Sequence, residues 1–240
     1  MPNDYFQFQQ FRIAQGDCAQ KVSTDACILG AAADLAGATL VLDLGTGTGL
    51  LALMAAQRAP AATLEAIELD AAAATQAAAN VAASPWADRI HVRPLSLAKY
   101  AATRPAPFSH IICNPPFFRR SLVSPDAARR TARHEGEESL TFADIIGFAV
   151  SHLVPAGTLT VLLPPTEMQQ FEQAAQAGEL PVQARLLVQH RPGGRITRCI
   201  STFGREVPGA VAESRLVIQG ATGEYSAAFR ALLSGFYLAL

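Results

Sequence analysis

Short apolar runs alternate with longer amphipathic stretches through most of this 240-residue chain. Apolar runs of about 4–8 residues predict buried strands, and longer stretches with apolar residues three or four apart predict helices. Repeated strand–helix units predict an α/β fold with a mostly parallel sheet and helices on both faces. The predicted strands are Thr39–Leu44, Thr63–Leu69, Ile90–Leu95, Phe108–Cys113 and Thr158–Leu163, and the predicted helices are Leu50–Gln57, Ala71–Ala83, Phe142–Leu153 and Thr166–Ala177.

The first part of the chain lies outside this alternation. Phe6–Ile13 mixes aromatic and β-branched residues with polar ones, which predicts a short hairpin or an extended arm. Ser23, Thr24 and Asp25 can cap a helix that runs to about Leu35. We therefore expect residues 1–37 to form an N-terminal arm and helix.

The last part of the chain also departs from the pattern. Val182–Gln189 and Thr197–Phe203 are predicted strands, and the turn between them is too short for a helical crossover. They should therefore pair antiparallel. Arg215–Gln219 is a candidate for one more strand, and Tyr225–Leu238 has the apolar stripe of an amphipathic terminal helix.

Length and composition limit the classes of protein to which this chain can belong. A chain of this length, half of it hydrophobic, predicts one domain over residues 1–240. The start of the chain is not typical of a signal peptide, and no apolar run is long enough to span a membrane, so we expect a cytoplasmic monomer. Neither the four cysteines nor the five histidines show the spacing of a metal site, so no metal is predicted.

A glycine-rich loop joins the first predicted strand to its helix. It contains Gly45, Gly47 and Gly49, which let the backbone turn tightly and approach a ligand without Cβ clashes. A dinucleotide fingerprint needs Gly or Ala three residues after its second glycine, where this chain has Leu50, so the spacing argues against NAD. Asp43, two residues before the loop, can accept hydrogen bonds from an ammonium group or from water.

An acidic residue lies at the end of the second predicted strand. Glu68 is placed where a carboxylate can accept hydrogen bonds from both ribose hydroxyls of an adenosine. Taken alone, either Asp43 or Glu68 is equally well explained as a solvated charge at the end of a strand. Together with the triple-glycine loop, they favour a ligand that contains a nucleoside.

The run Asn114-Pro115-Pro116-Phe117 follows the predicted strand Phe108–Cys113. Proline has no N–H for a strand ladder, so two consecutive prolines end the strand in a stiff turn. The turn presents an amide and an aromatic ring at the carboxyl end of a strand, where open α/β sheets bind ligands. These groups suit the task of holding a flat group that carries an amine.

The same run indicates a way to methylate such an amine. Asn114 Oδ1 and the carbonyl of Pro115 can each accept one amino hydrogen, which directs the nitrogen lone pair toward a methyl donor. Phe117 can stack on the target base with a contact worth about 1–3 kcal/mol. The run resembles that of amino-group methyltransferases, which carry Asn/Asp-Pro-Pro-Tyr/Phe and act on adenine, guanine or glutamine amide nitrogens.

Residues 38–205 together resemble the class I S-adenosylmethionine-dependent methyltransferases. The resemblance implies a Rossmann-like, seven-stranded sheet whose last strand is antiparallel, with S-adenosylmethionine as the cofactor. It implies that Gly45, Gly47 and Gly49 line the cofactor, that Asp43 lies near its methionine part, and that Glu68 binds its ribose. The family often has an acidic residue that accepts from the adenine amino group, and Ser96 stands at that place here.

The N-terminal arm indicates a more specific family within these methyltransferases. Residues 6–15, 18–25 and 29–30 are similar to the start of the bacterial tRNA(Val) adenine-37 N6-methyltransferases. This resemblance extends over nearly the whole chain and implies methylation of the 6-amino group of adenosine 37 in tRNA(Val). Phe117 replaces the tyrosine that is usual in the family. Lys21 and Thr24 are expected to cover the cofactor or the target base, although a helix cap would explain Thr24 equally well.

Clustered arginines favour an RNA substrate even though the net charge of the chain is only −1. Arginine clusters near a pocket can bind RNA phosphates whatever the net charge of the protein. One cluster follows the Asn-Pro-Pro-Phe run and another spans the last strands. The residues expected to contact tRNA are Arg119, Arg120, Arg129, Arg130, Arg133, Arg195 and Arg198, and the second cluster also contains Arg185, Arg191 and Arg205.

Two alternatives remain open from the sequence. An enzyme with the same run of residues could methylate the 2-amino group of guanine in rRNA or the side-chain amide of a protein glutamine. A protein that keeps the fold but has no catalytic activity could bind RNA without reacting with it. Cofactor binding and analysis of the methylated product would distinguish these possibilities.

Overall fold

The computed structural model describes residues 4–16, 21–115 and 140–239. Strands in these residues are β1 (Tyr5–Gln7), β2 (Arg12–Ala14), β3 (Leu40–Leu44), β4 (Thr63–Ile67), β5 (Ile90–Arg93), β6 (Phe108–Cys113), β7 (Leu153–Leu163), β8 (Val182–Gln189), β9 (Ile196–Gly204) and β10 (Ala212–Val217). The first two form a small antiparallel hairpin. The other eight form one sheet in the order β10-β8-β9-β7-β6-β3-β4-β5.

The sheet confirms the predicted α/β class and corrects the predicted strand number. Of its described strands, only β9 runs antiparallel, and it lies between β7 and β8. The predicted antiparallel pairing of the two late strands is therefore confirmed. The sheet has eight strands rather than seven, because β10 adds to the outer edge of β8 in parallel, from Ala212 opposite Ala184 to Val217 opposite Gln189. β10 overlaps the candidate strand Arg215–Gln219 and begins three residues before it. The last strand is therefore parallel, which corrects the expectation that it would be antiparallel.

Helices cover both faces of the sheet. The helices in the described residues are α1 (Thr24–Ala32), α2 (Leu50–Arg58), α3 (Ala71–Ala82), α4 (Leu97–Ala102), α5 (Phe142–His152), α6 (Pro165–Ala177) and α7 (Ala227–Leu233). One core cluster joins α1, α2, α3 and α7 to the sheet, and a second joins α4, α5 and α6 to its opposite face. This is the arrangement that a mostly parallel sheet requires, since both of its faces must be shielded from water.

Side-chain caps explain where several helices begin. Ser23 accepts from the N–H of Ala26 at 3.2 Å, and Asp70 accepts from the N–H of Ala73 at 2.8 Å. Ser96 caps α4, a helix that the hydrophobic pattern did not predict because it has only six residues. The terminal helix is shorter than predicted, since α7 ends at Leu233 rather than at Leu238.

Aromatic packing attaches the N-terminal hairpin to the end of the chain. Phe8 stacks on Phe11 with ring centroids 4.5 Å apart, and its backbone forms an isolated bridge with Tyr237. The side chain of Gln9 donates to the carbonyl of Ser234 at 2.8 Å. The arm is therefore packed on the helical face that carries α7. No helix in the described ranges is long and apolar enough to cross a membrane.

Candidate active site

The carboxyl ends of neighbouring strands bring most of the predicted site residues to one edge of the sheet. Leu44 of β3 lies opposite Ile67 of β4 and Cys113 of β6, and each strand ends at that residue. The glycine loop, Glu68 and Asn114 follow these three strands directly. Because adjacent strands lie about 4.8 Å apart, the three groups are close neighbours along this edge.

The glycine loop has the backbone conformation that its sequence predicts. The φ angles of Gly45, Gly47 and Gly49 are 75°, 55° and 85°, values that side chains with a Cβ rarely adopt. Among the described residues, no atom lies within 4 Å of a Cβ built on Gly45 or Gly47, so this part of the chain leaves open space beside both glycines. The loop therefore presents bare backbone to a space in which a ligand can lie.

Asp43 anchors this loop to the helix that follows it. The residue is buried, and its Oδ2 accepts from the hydroxyl of Thr46 and, at 2.9 Å, from the N–H of Ala52. Its Oδ1 is buried and has no hydrogen-bond partner within the described part of the chain. Burial raises the pKa of Asp43 to about 7, an effect that the two hydrogen bonds oppose and the nearby Glu68 carboxylate reinforces.

Glu68 holds the glycine loop from the neighbouring strand. Its Oε2 accepts from the N–H of Gly47 at 2.8 Å, and its Oε1 accepts from the N–H of Asp70 at 3.0 Å. A carboxylate oxygen has two lone pairs, so each oxygen can accept one further hydrogen bond. The sequence indicated a ligand for this carboxylate, but its contact with the loop became evident only in the structure.

Asn114 lies one residue beyond β6, beside the loop. Its Oδ1 is buried, and no residue in the described ranges donates a hydrogen bond to it. Buried polar atoms nearly always have a partner, so this oxygen is an acceptor available to a donor from outside the described residues. Pro115 is buried next to it. Pro116 and Phe117 lie outside the described residues, as do Arg119, Arg120, Arg129, Arg130 and Arg133.

The other predicted site residues in the described ranges are Ser96, Lys21 and Thr24. Ser96 is buried and its Oγ accepts from the N–H of Lys99 at 3.3 Å, so it serves as a helix cap. Lys21 and Thr24 are exposed at the start of α1. Asp25 forms an ion pair of 2.8 Å with Arg198 near the start of β9, which places this end of α1 at the carboxyl edge too.

The structure separates the arginines of the last strands into two groups. Arg185 forms an ion pair with Glu172 through two hydrogen bonds. Arg205 follows β9 at the amino edge of the sheet and donates to the backbone carbonyls of Val150 and Leu153. Both side chains therefore have partners within the protein. Arg191 and Arg195 are exposed in the turn between β8 and β9, at the same edge as Asn114. These two are therefore better placed than Arg185 or Arg205 to contact a substrate.

Asn80 is a residue of the site that the sequence reasoning missed. Its Nδ2 donates to the carbonyls of Thr48 in the glycine loop and Ala14 in β2, both at 2.9 Å, and its Oδ1 accepts from the N–H of Ala14 at 2.9 Å. It is buried on the face of α3 that also carries Ala73 and Ala77. An amide in an otherwise apolar helix stripe was the signal that could have identified it.

Comparison with known families supports a methyltransferase fold. Residues 28–166 match the model of the methyltransferase small domain family. This match includes the glycine loop, Glu68 and Asn114.

Two relatives match over nearly their full lengths. A tRNA1(Val) (adenine(37)-N6)-methyltransferase of Bacteroides thetaiotaomicron is 41% identical over 241 residues, which cover 100% of both chains. The protein of the same name from Pseudoalteromonas translucida is 41% identical over 234 residues, which cover 97% of this chain and 98% of the relative.

Solved structures of methyltransferases share the fold. A crystal structure of a predicted O-methyltransferase from Agrobacterium tumefaciens has a TM-score of 0.67 at 22% identity, with 88% of this chain and 96% of the other covered. A ribosomal protein L11 methylase from Lactobacillus delbrueckii subsp. bulgaricus has a TM-score of 0.56 at 18% identity, with 81% and 84% covered. At these identities the similarity concerns the fold alone.

Proposed function

Since this chain belongs to the family of tRNA1(Val) (adenine(37)-N6)-methyltransferases, we propose that it methylates the 6-amino group of adenosine 37 in tRNA(Val). The observation that supports this most directly is the position of Asn114 beside the glycine loop, with a buried Oδ1 that has no hydrogen-bond partner among the residues that the structure describes. An amide acceptor next to a nucleoside-type loop suits the transfer of a methyl group to an amine. A tRNA substrate would place the reaction in the cytoplasm.

The residues around the glycine loop fit S-adenosylmethionine. The open space beside Gly45 and Gly47 lets a ligand approach the backbone closely. Glu68 retains free lone pairs for the ribose hydroxyls, and Asp43 supplies a negative potential suited to the charged methionine part. Ser96, Lys21 and Thr24 lie at the same edge and are proposed as further cofactor contacts. When bound, S-adenosylmethionine supplies an electrophilic methyl group attached to a sulfonium sulfur.

The catalytic contribution of the chain is orientation. The amino group of adenine is a poor nucleophile because its lone pair is delocalised into the ring. Asn114 Oδ1 and the carbonyl of Pro115 each accept one amino hydrogen, which turns the lone pair toward the methyl donor. This arrangement requires no strong general base. A second proline, Pro116, would add rigidity to this turn, and the aromatic ring of Phe117 would stack on the flipped base.

A methylation assay with the purified protein and tRNA(Val) tests the proposed function. Label from methyl-tritiated S-adenosylmethionine should enter tRNA(Val) and, after digestion to nucleosides, should elute with N6-methyladenosine. A tRNA(Val) transcript with guanosine at position 37 is the matched substrate control and should accept no label. Label found in guanosine, or in protein rather than RNA, would instead support one of the two alternative methyltransferase activities.

The buried carboxyl group of Asp43 predicts a pH dependence of cofactor binding. Because its pKa is raised from 3.8 to about 7, the folded protein keeps a proton that the unfolded chain has already released. The resulting contribution to folding stability is present below about pH 4 and is lost as the pH rises through about 7. A cationic ligand lowers this pKa, so binding should release a proton and strengthen from about pH 6 to 8.

Calorimetry in two buffers with different heats of ionisation measures that proton. The binding heat of the wild-type protein should differ between the buffers at neutral pH. The Asp43→Asn variant keeps the shape and the acceptor of the side chain but has no carboxyl group, so its binding heat should be the same in both. Equal heats for the wild type would show that Asp43 does not titrate when the cofactor binds.

A further inference from the structure

Two turns meet at the end of the carboxyl edge that lies farthest from the glycine loop. One follows β8 and the other follows β10, and both strands run parallel to β7. The N–H of Ile218 donates to the carbonyl of Gln189, and the N–H of Gln219 donates to the carbonyl of His190, both at 2.9 Å. The turns are thereby joined into one surface, here called the far-edge surface, made of residues 189–195 and 218–230.

An aromatic ring is held in place on the far-edge surface. Tyr225 is 37% exposed, although its ring stacks on the fully buried Phe229 with centroids 4.7 Å apart and planes 26° apart. The backbone of Tyr225 forms a bridge with Gln219, and its carbonyl accepts from Arg230 Nε at 2.9 Å. A ring supported in this way loses little conformational freedom when a partner stacks on it.

Exposed arginines lie on the same two segments as this ring. Arg191, Arg195 and Arg230 are exposed, and the two segments contain a single carboxylate, Glu224. Neither Arg191 nor Arg195 forms an ion pair with a side chain in the described ranges. Aromatic rings and arginines grouped in this way are typical of surfaces that bind single-stranded nucleic acid, where rings stack on bases and arginines neutralise phosphates.

We propose that the far-edge surface binds an unpaired nucleotide on the same RNA strand as the methylated base. Tyr225 stacks on the base of that nucleotide, and Arg191 and Arg195 contact the neighbouring phosphates. The proposal rests on the proposed function, because it takes the substrate to be RNA. Four strand spacings of about 4.8 Å separate β6 from β10, so the carboxyl ends of these two strands lie about 19 Å apart.

That separation suits a short RNA segment. A stacked strand rises about 3.4 Å per nucleotide, so about five or six nucleotides span the distance between the two sites. One unpaired segment can therefore place a base beside Asn114 and another on Tyr225 at the same time. The far-edge surface would contribute to the choice of RNA, a property that the Asn-Pro-Pro-Phe run cannot supply alone.

Binding of tRNA to matched variants tests the proposal. Tyr225→Ala should raise the Kd for fluorescently labelled tRNA(Val) about tenfold, whereas Tyr225→Phe, which keeps the ring, should bind like the wild type. The double variant Arg191→Gln/Arg195→Gln should reduce the slope of log Kd against log salt by about two. Affinity for S-adenosylmethionine should stay unchanged in all of these variants.

Two variants at the opposite edge of the sheet serve as controls. Val207→Ala removes an exposed apolar side chain after β9, and Arg104→Gln removes an exposed charge before β6. Equal Kd values for Tyr225→Ala and Val207→Ala would overturn the proposal, as would equal salt slopes for the double variant and Arg104→Gln. These comparisons measure binding alone. A wild-type protein that binds tRNA without methylating it would therefore contradict the proposed function and leave the test of this surface intact.

Discussion

Asn114→Ala should slow methyl transfer by about 10²–10³-fold while the affinity for S-adenosylmethionine stays unchanged. The substitution removes the buried Oδ1 that is available to hold the amino group of the target base. The glycine loop should keep its structure, because the hydrogen bonds that hold it come from Asp43 and Glu68. Single-turnover methylation at saturating tRNA measures the transfer step, and calorimetry measures cofactor binding.

Asn114→Asp is the matched control for this prediction. It keeps an oxygen acceptor at the same position, and the family pattern of Asn or Asp before the two prolines leads us to expect partial activity. The alanine variant should therefore be much slower than the aspartate variant. A transfer rate for Asn114→Ala close to that of the wild type would remove the side chain from the catalytic mechanism.

Asn80→Ala should destabilise the protein by roughly 3 kcal/mol or more and weaken cofactor binding. Its three hydrogen bonds satisfy the carbonyls of Thr48 and Ala14 and the N–H of Ala14. The Thr48 carbonyl is buried, whereas the two Ala14 groups are half-buried. A fully buried backbone group left without a partner costs about 1–3 kcal/mol, and a half-buried one costs less. Urea unfolding measures the loss of stability, and calorimetry below the unfolding transition measures the Kd for the cofactor.

Two further substitutions in α3 separate a general effect on stability from an effect on the loop. Thr75→Ala changes an exposed residue of the same helix and should alter stability by no more than about 0.5 kcal/mol. Asn80→Asp still accepts from Ala14 but, when ionised, cannot donate to Thr48, so it should weaken cofactor binding as well. Wild-type cofactor affinity in Asn80→Asp would show that Asn80 supports the fold without positioning the loop.

Hydrophobic patterning predicted the parallel core of the sheet well, because β3 and β6 are short apolar runs and the crossover helix α3 buries one face. The positions of β3, β4 and β6 agree with those predicted to within two residues. The hydrophobic pattern was less informative for a short helix and for a strand at the edge of the sheet. The α4 helix depends on a side-chain cap at Ser96 rather than on a long apolar stripe, and β10 is a largely exposed strand with little hydrophobic signal.

For the site residues, the sequence predicted their positions but not their contacts. The residue types and spacing of Asp43, Glu68 and Asn114 were sufficient to place them at strand ends, since the carboxyl ends of parallel strands share one edge. Their contacts depended on atoms from other elements. Glu68 holds Gly47, and Asn80 bonds both to Ala14 of β2, 66 positions away in the sequence, and to Thr48 of the glycine loop, 32 positions away. No local pattern encodes such pairs.

The sequence by itself determined the class of fold, the glycine loop and the presence of an amide at a strand end, because these depend on local periodicity and on the backbone limits of glycine and proline. The tertiary structure decided which polar groups remain available. It satisfied Arg185 with Glu172 and left Asn114 Oδ1 without a partner in the described chain. It also joined the turn that carries Arg191 and Arg195 to the segment that carries Tyr225, since these segments meet only because β8 and β10 pair.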